Sequence, residues 1–443
     1  MRVQFQSIAA GGDAVGRDET GRVVFAPYAA PGDVAGVAVD EEHRAYARGH
    51  IERLEIVSAQ RVTPPCPFYL PARDNDPATA CGGCQVQHLQ YEAQLAAKRD
   101  IVRDALQRIG GIRDDVVQPC IPSPLPFAYR NKADLVVTIA DGQPQIGFFA
   151  RGSHHVIDVT HCPIQQTPNN ELLAAARDCI AAGLAPPFDP ATGRGVLRRL
   201  IARTASDGST LLIAVTSRAA WPESQAFAES MKAAVPSLVG VLWRPPRQEA
   251  RVIAGRDWLE ETVSGLRLRV TGEDFFQVNA ALTPTLVDTA LRMAHVQGGE
   301  RALDLFCGVG LFALALARAG ARVLGLESNR VAVRDARFNA QRNGLAALAA
   351  FRASDAVTEL KRLSADEWEV ILLDPPRAGA ADCLAELVRL RPRRIVYVSC
   401  DPATFARDVK ILTAQHYHLA QAVPLDLFPQ TAHIETVARL ERL

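Results

Sequence analysis

The sequence predicts a multidomain α/β protein. A small OB-like β-barrel comes first, then a strand-rich α+β centre, then a doubly wound, Rossmann-like C-terminal domain. Three observations carry this. Short strand-like runs cut by glycine and proline turns fill residues 1–56. Strands with tight turn dipeptides dominate from about 127 to 270. From 271 the chain alternates helix and strand, the rhythm of a parallel sheet with ligand sites at its C-terminal strand ends. The expected domains are therefore 1–56, 57–270 and 271–443. A chain of 443 residues accommodates them at roughly 150 residues per domain.

Within the first segment, Arg22–Ala26, Val34–Val39 and Ala45–Leu54 read as strands. Gly11-Gly12-Asp13 and Pro31-Gly32-Asp33 are turns. A proline- and cysteine-rich loop covers 62–84. A helix is expected over about 91–110, with Leu95, Val102 and Leu106 on one face and Gly110-Gly111 closing it. Asp141-Gly142 and Asp207-Gly208 each join two strands as a hairpin. Helices are expected near 169–183 and 222–235. In the last domain Ala302–Phe306, Arg322–Leu326, Val370–Leu373 and Ile395–Ser399 read as strands. Leu311–Ala319, Val331–Asn343 and Ala380–Leu390 read as the helices between them.

Charge excludes little: 49 basic and 49 acidic residues balance, so nucleic-acid binding would rest on local patches. No apolar run approaches the roughly 20 residues of a membrane helix, and Met1–Phe5 lacks a signal-peptide core. The reading is a cytoplasmic protein, monomeric, without a membrane partner. Nine cysteines are an odd number. In a reducing compartment clustered cysteines point to metal or catalysis rather than disulfides. Cys81-Gly82-Gly83-Cys84 is a tight chelating pair, and Cys66 and Cys162 complete four thiolates, a set that suits zinc or an iron–sulfur cluster.

Gly308-Val309-Gly310 follows a strand and opens a helix, as a turn against a nucleotide-like cofactor does. Glu327, 19 residues beyond Gly308, ends the next strand, where a carboxylate can accept from ribose hydroxyls. Ala313 loosely completes the dinucleotide pattern, so a nicotinamide oxidoreductase stays open at this point. Asp374-Pro375-Pro376-Arg377 leaves a strand end as a rigid loop. Cys400 stands at another strand end. Alone it reads as a packing cysteine; there, before Asp401-Pro402, it reads as a nucleophile aimed into the crevice. Glu435 lies among apolar residues, and a buried carboxylate there would suit a general base. Cofactor turn, thiol and base together suggest covalent catalysis of transfer to a carbon that is not nucleophilic by itself.

These segments, with Tyr129-Arg130-Asn131-Lys132, Gly272–Asn279 and His433-Ile434-Glu435-Thr436, resemble the RNA uracil-5-methyltransferase family over nearly the whole chain. Residues 1–56 resemble its RNA-binding TRAM barrel. The resemblance implies S-adenosylmethionine at Gln277, Phe306, Gly308, Glu327 and Asp374. It implies Cys400 as nucleophile and Glu435 as base, and a four-iron, four-sulfur cluster on Cys66, Cys81, Cys84 and Cys162. The expected partner is RNA, 23S ribosomal RNA ahead of transfer RNA. Two departures stand out: fourteen residues separate Cys66 from Cys81 where the family has a short spacer, and Leu311 replaces an asparagine near the cofactor. Alternatives of other classes are an RNA-binding module with a decayed enzyme domain and methylation at cytosine C5. The intact Cys400, Asp374 and Glu435 oppose the first. The Asp-Pro-Pro and His-Ile-Glu contexts oppose the second.

Overall fold

A computed structural model describes residues 1–71 and 79–443. The middle of the proline- and cysteine-rich loop lies outside the described residues. The chain divides into two compact units. The first holds 1–97, 125–257 and 429–432; the second holds 98–124, 258–428 and 433–443.

In the first unit, β1 (Arg2–Ile8), β2 (Ala14–Asp18), β3 (Val23–Ala26), β4 (Val34–Glu42) and β5 (Tyr46–Ile56) close a barrel in the order β1-β2-β3-β5-β4. Strand alternation turns Val3, Phe5 and Ile8 inward, with a bulge between Phe5 and Ser7 that bends β1 for closure. Arg61 pins the barrel exit by donating to the buried Asp33 carboxylate at 2.6 Å, a charge-assisted bond.

The same unit contains a second sheet of β6 (Lys132–Ala140), β7 (Gln143–Phe149), β8 (Val156–Asp158), β9 (Leu197–Thr204), β10 (Thr210–Thr216), β11 (Leu238–Arg244) and β12 (Arg251–Gly255). Its order is β12-β11-β10-β9-β6-β7-β8. Both expected hairpins form, β6–β7 and β9–β10. Only β10 and β11 run parallel, because the helix Ser224–Ala234 carries the chain back between them. That helix and the one at Thr167–Ala181 bury Leu172, Phe227 and Met231 in one cluster with Trp243 of β11 and the alternate residues Ala133, Leu135 and Val137 of β6. The helix Tyr91–Ala105 begins in this unit and runs into the second, where it ends in a wide π-turn, Leu106–Gly110, closed by Gly111 at φ 74°.

The second unit opens with the hairpin β13 (Trp258–Val263) and β14 (Leu266–Thr271). Its main sheet comprises β15 (Arg301–Leu305), β16 (Arg322–Glu327), β17 (Ala349–Ala353), β18 (Val370–Leu373), β19 (Arg394–Ser399), β20 (Tyr417–Leu425) and β21 (Glu435–Arg442), in the order β17-β16-β15-β18-β19-β21-β20. Every pairing from β17 to β19 is parallel; β21 inserts antiparallel to both of its neighbours. Helices cover the sheet, and Leu311–Arg318 is buried nearly all round, as its apolar sequence requires. The chain goes from β15 outward to β16 and β17, then returns to the other side of β15 as β18. The switch point therefore lies between the C-terminal ends of β15 and β18, where open sheets of this kind bind ligands.

Candidate active site

Each strand end at the switch point delivers one predicted residue. After β15 the backbone turns sharply: Phe306 sits at φ +63°, a left-handed conformation that costs a non-glycine residue roughly 1–2 kcal/mol. Gly308 follows at φ +51° and Gly310 at φ +91°. A Cβ added to Gly308 would meet no protein atom within 4 Å, whereas one on Gly310 would press on Phe351 at 3.1 Å. The glycines thus have different causes: Gly310 packs the turn, and Gly308 leaves open space beside the backbone. Glu327 at the end of β16 accepts from Gly308 N–H at 3.2 Å and from Asn329 N–H at 2.8 Å. Asn329 in turn caps the helix Arg330–Arg342 and donates to Asp274 at 2.8 Å.

Gln277, Phe306, Gly308 and Asp374 line one recess together with Phe275 and Leu311. Gln277 donates to Asp374 at a long 3.4 Å. Asn279, two residues on, faces away: it donates to Ser123 and Leu427 and fixes the start of the helix Thr283–Ala294.

On the other side of β18, the register that pairs Ser399 with Thr436 carries Cys400 to the position across from Glu435. Glu435 is buried, and one carboxylate oxygen has no hydrogen-bond partner among the described residues. Burial raises its carboxyl well above the usual range; the Asp374 charge adds to this and Arg377 opposes it. Burial pushes Asp374 up to about 7. Burial, then Glu435 and Asp374, push the Cys400 thiol up to about 11, and Arg377 again opposes. Two carboxyls, one thiol and one guanidinium therefore share a single electrostatic environment. Arg377 is held by Thr404, whose hydroxyl donates to the Arg377 carbonyl at 3.1 Å, and its Nη2 lies 3.5 Å from both ring nitrogens of His433.

These opposing charges make a test. Iodoacetamide alkylation of Cys400, followed by peptide mass spectrometry, will rise with pH toward a midpoint near 11, because only the thiolate reacts. Arg377→Ala will move that midpoint up, since a stabilising cation is lost, and Glu435→Gln will move it down. Unmoved midpoints would show that neither charge reaches the sulfur.

The tRNA (uracil-5-)-methyltransferase family model matches residues 239–443, and the TRAM domain model matches residues 1–51. An RNA methyltransferase of Gloeobacter violaceus, itself uncharacterised, is 36% identical over 100% of this chain and 96% of its own length. One of Listeria innocua is 32% identical over 99% and 97%. The solved structure of a Pyrococcus abyssi tRNA (uracil-54, C5)-methyltransferase in complex with S-adenosyl-L-homocysteine superposes with a TM-score of 0.74, at 27% identity, covering 99% of this chain and 100% of that one.

The chain belongs to the RNA uracil-5-methyltransferase family.

For an RNA uracil-5-methyltransferase, the sequence reading left three neighbouring side chains without a role. Arg377 was in view as the last residue of Asp-Pro-Pro-Arg, but its reach to Cys400 and Glu435 depends on the strand order. Phe275 lines the recess and is 69% exposed, which leaves an aromatic face open at its mouth. Asp304 is wholly buried, and neither oxygen has a hydrogen-bond partner among the described residues, although Ala313 N–H is near enough to favour the anion. Burial raises its carboxyl well above the usual range, with Asp374 and Glu327 adding to it.

The four cysteines of the presumed cluster also come together, all within the first unit. Cys84 is raised by burial first and then by Cys162, Cys81 and Cys66; Cys81 is pushed up to about 12 by burial, with Cys162 and Cys66 adding. Backbone N–H groups favour the thiolates: Phe68 and Tyr69 at Cys66, Gly83 at Cys81, Ile164 and Gln165 at Cys162. Such donors are what a thiolate centre needs around its sulfurs. Yet among the described residues no group of three His, Cys, Asp or Glu side chains has metal-binding geometry. The donor chemistry fits a four-thiolate centre; the present spacing is not that of a closed one.

Proposed function

We propose that this protein transfers a methyl group from S-adenosylmethionine to C5 of a uridine in RNA through a covalent adduct between Cys400 and C6. The observation that carries this is the register placing Cys400 across from Glu435, beside Asp374 at the switch-point recess. Fit to the cofactor rests on two features of one recess: the open space beside Gly308, and the Asp374 carboxyl, held by Gln277 only at a long distance and so left available to a cationic ligand. Gln277, Phe306, Glu327 and Asp374 would hold it, with Glu327 on the ribose hydroxyls. When bound, the cofactor supplies an electrophilic methyl group on a sulfonium.

The residues of the chain do the rest. C5 of uracil is a poor nucleophile. Addition of the Cys400 thiolate at C6 places an electron pair on C5 through the enolate, and C5 takes the methyl group. The Glu435 carboxylate removes the C5 proton, the C5–C6 double bond re-forms, and Cys400 leaves as thiolate. Arg377 keeps the thiolate accessible against the two neighbouring carboxyls. The base must leave any stack to enter the crevice, and exposed Phe275 offers a face to receive it.

On the choice of RNA, the sequence resemblance points to large-subunit ribosomal RNA. A specific observation favours transfer RNA: the Pyrococcus enzyme, matching along the full chain, acts on tRNA by its own description. Methylation of total RNA by the purified protein, with 5-methyluridine located by digestion and mass spectrometry, tests both the reaction and the target. Absence of 5-methyluridine from every RNA overturns the reaction.

The cysteine site is read as a structural four-iron cluster on Cys66, Cys81, Cys84 and Cys162. Protein purified without air is expected to hold about four iron and four sulfide, as four thiolates of such a cluster require. Cys81→Ser with Cys84→Ser will lose the iron and lower the melting temperature, because metal binding here is folding energy. Stoichiometric zinc without iron would replace the cluster by a zinc site.

A further inference from the structure

The helices Thr167–Ala181 and Ser224–Ala234 lie together on one face of the sheet β6–β12. The two helices pack on Ala133, Leu135 and Val137 of β6, so the alternate residues Val136, Thr138 and Ala140 face outward. They floor a concavity of about 630 Å³, walled by the loops around Phe188, Thr216 and Pro246 and by the segment Phe149–Val156.

Its walls carry cations and aromatic rings, and no Asp or Glu among the described residues lines it. Arg198 stacks over the Phe188 ring at 4.9 Å, which leaves its guanidinium edge free to donate. Arg199, also lining the groove, is bidentate to Asp134 at 2.9 and 2.6 Å, so its charge is offset. Phe149 is 40% exposed and propped edge-on by His154, ring centroids 5.5 Å apart. Cations without carboxylates favour an anionic occupant, and the aromatic faces favour flat rings; a strand of phosphates and bases offers both.

The wall that bears Phe149 is also fastened to the cysteine loop. Gly82 N–H donates to the Phe149 carbonyl at 2.9 Å, and Cys81 bridges to Ala150. A Cβ on Gly82 would stand 3.0 Å from that same carbonyl, so the close approach needs glycine. The Gly between the chelating cysteines thus ties the presumed cluster to the groove.

We infer that this groove holds a single-stranded segment of the RNA substrate, with a phosphate on Arg198 and a base stacked on Phe149. This rests on the RNA methyltransferase reading for its class of partner and leaves Cys400 and the recess untouched. The test uses the full chain and a fluorescein-labelled oligouridylate of about twelve nucleotides, within the usual span of such grooves. Anisotropy gives Kd at several salt concentrations. Arg198→Ala is expected to reduce the slope of log Kd against log salt by about 0.7, the share of one single-strand phosphate contact, and Arg198→Lys to restore it. Phe149→Ala is expected to weaken binding roughly tenfold with the slope unchanged, as loss of one stacked base does. Melting temperatures guard against misfolding. Wild-type affinity and slope in both alanine variants overturn the groove, as does a wild-type protein that does not bind the oligonucleotide. RNA binding with these variant effects but no methylation by wild type would leave the groove standing and sink the methyl-transfer reading instead.

Discussion

Cys400→Ala is expected to methylate RNA at least about a thousandfold more slowly than wild type, the order of loss when a covalent nucleophile is removed. Affinity for S-adenosylmethionine should stay within about twofold, because Cys400 and the cofactor turn lie on opposite sides of β18. Cys400 is half-buried and forms no disulfide, and a cysteine-to-alanine change removes one atom, so the variant should melt near the wild-type temperature. Removing the thiol also relieves the crowding that raises it: Glu435 and Asp374 no longer face a third ionisable group. The measurement is single-turnover methylation of RNA, with equilibrium binding of the cofactor in parallel. Residual activity above about a hundredth of wild type would mean that C5 is activated without a C6 adduct.

How much of this site could be read from the chain depended on sequence distance. Gly308 and Glu327 were legible because strand, turn, helix and acid follow one another locally, and the structure joins them by one hydrogen bond. The parallel strands β18 and β19 showed as short apolar runs for the same reason, whereas β17 was missed. The insertion of β21 between β19 and β20 was not legible. Its partners are set by long-range pairing, and alternating helices and strands say nothing of a final reversed strand. Yet that insertion gives Glu435 its place across from Cys400. The sequence showed Glu435 as a carboxylate among apolar residues, and the motif resemblance named it as the base. Arg377 was hidden likewise: its charge acts across two strand ends, and its support by Thr404 comes from the helix Pro402–Thr413, which the sequence reading did not identify. In the first unit, β11 and β12 were blurred because Arg244 to Arg251 interrupts them with proline and charge, while the five-strand barrel showed through its turns. The spacer between Cys66 and Cys81 runs partly outside the described residues, but Cys66 itself lies near enough to Cys162 and Cys84 to raise both thiols.

Glu435→Gln separates the two halves of the reaction. Glutamine keeps the shape of the side chain but cannot accept the C5 proton as a carboxylate does. It also removes the charge that, after burial itself, does most to raise the Cys400 thiol, so thiolate formation should become easier, not harder. Adduct formation and methyl transfer should therefore proceed and elimination should stall. The expected result is a methylated enzyme–RNA species, stable on a denaturing gel with radiolabelled RNA, at near-stoichiometric yield. Asp374 is the rival base: it is buried in the same environment, and its carboxyl is pushed to about 7 by that burial. At pH 8 Asp374 is mostly ionised and could take the proton, whereas at pH 6 it is mostly protonated and could not. If Asp374 substitutes, the trapped band of Glu435→Gln should fade and 5-methyluridine release recover as the pH rises from 6 to 8. If Glu435 alone is the base, the band persists across that range. Rapid release with no band at either pH would assign the proton to some other group, and the pairing of Cys400 with Glu435 across β19 and β21 would then be structural rather than catalytic.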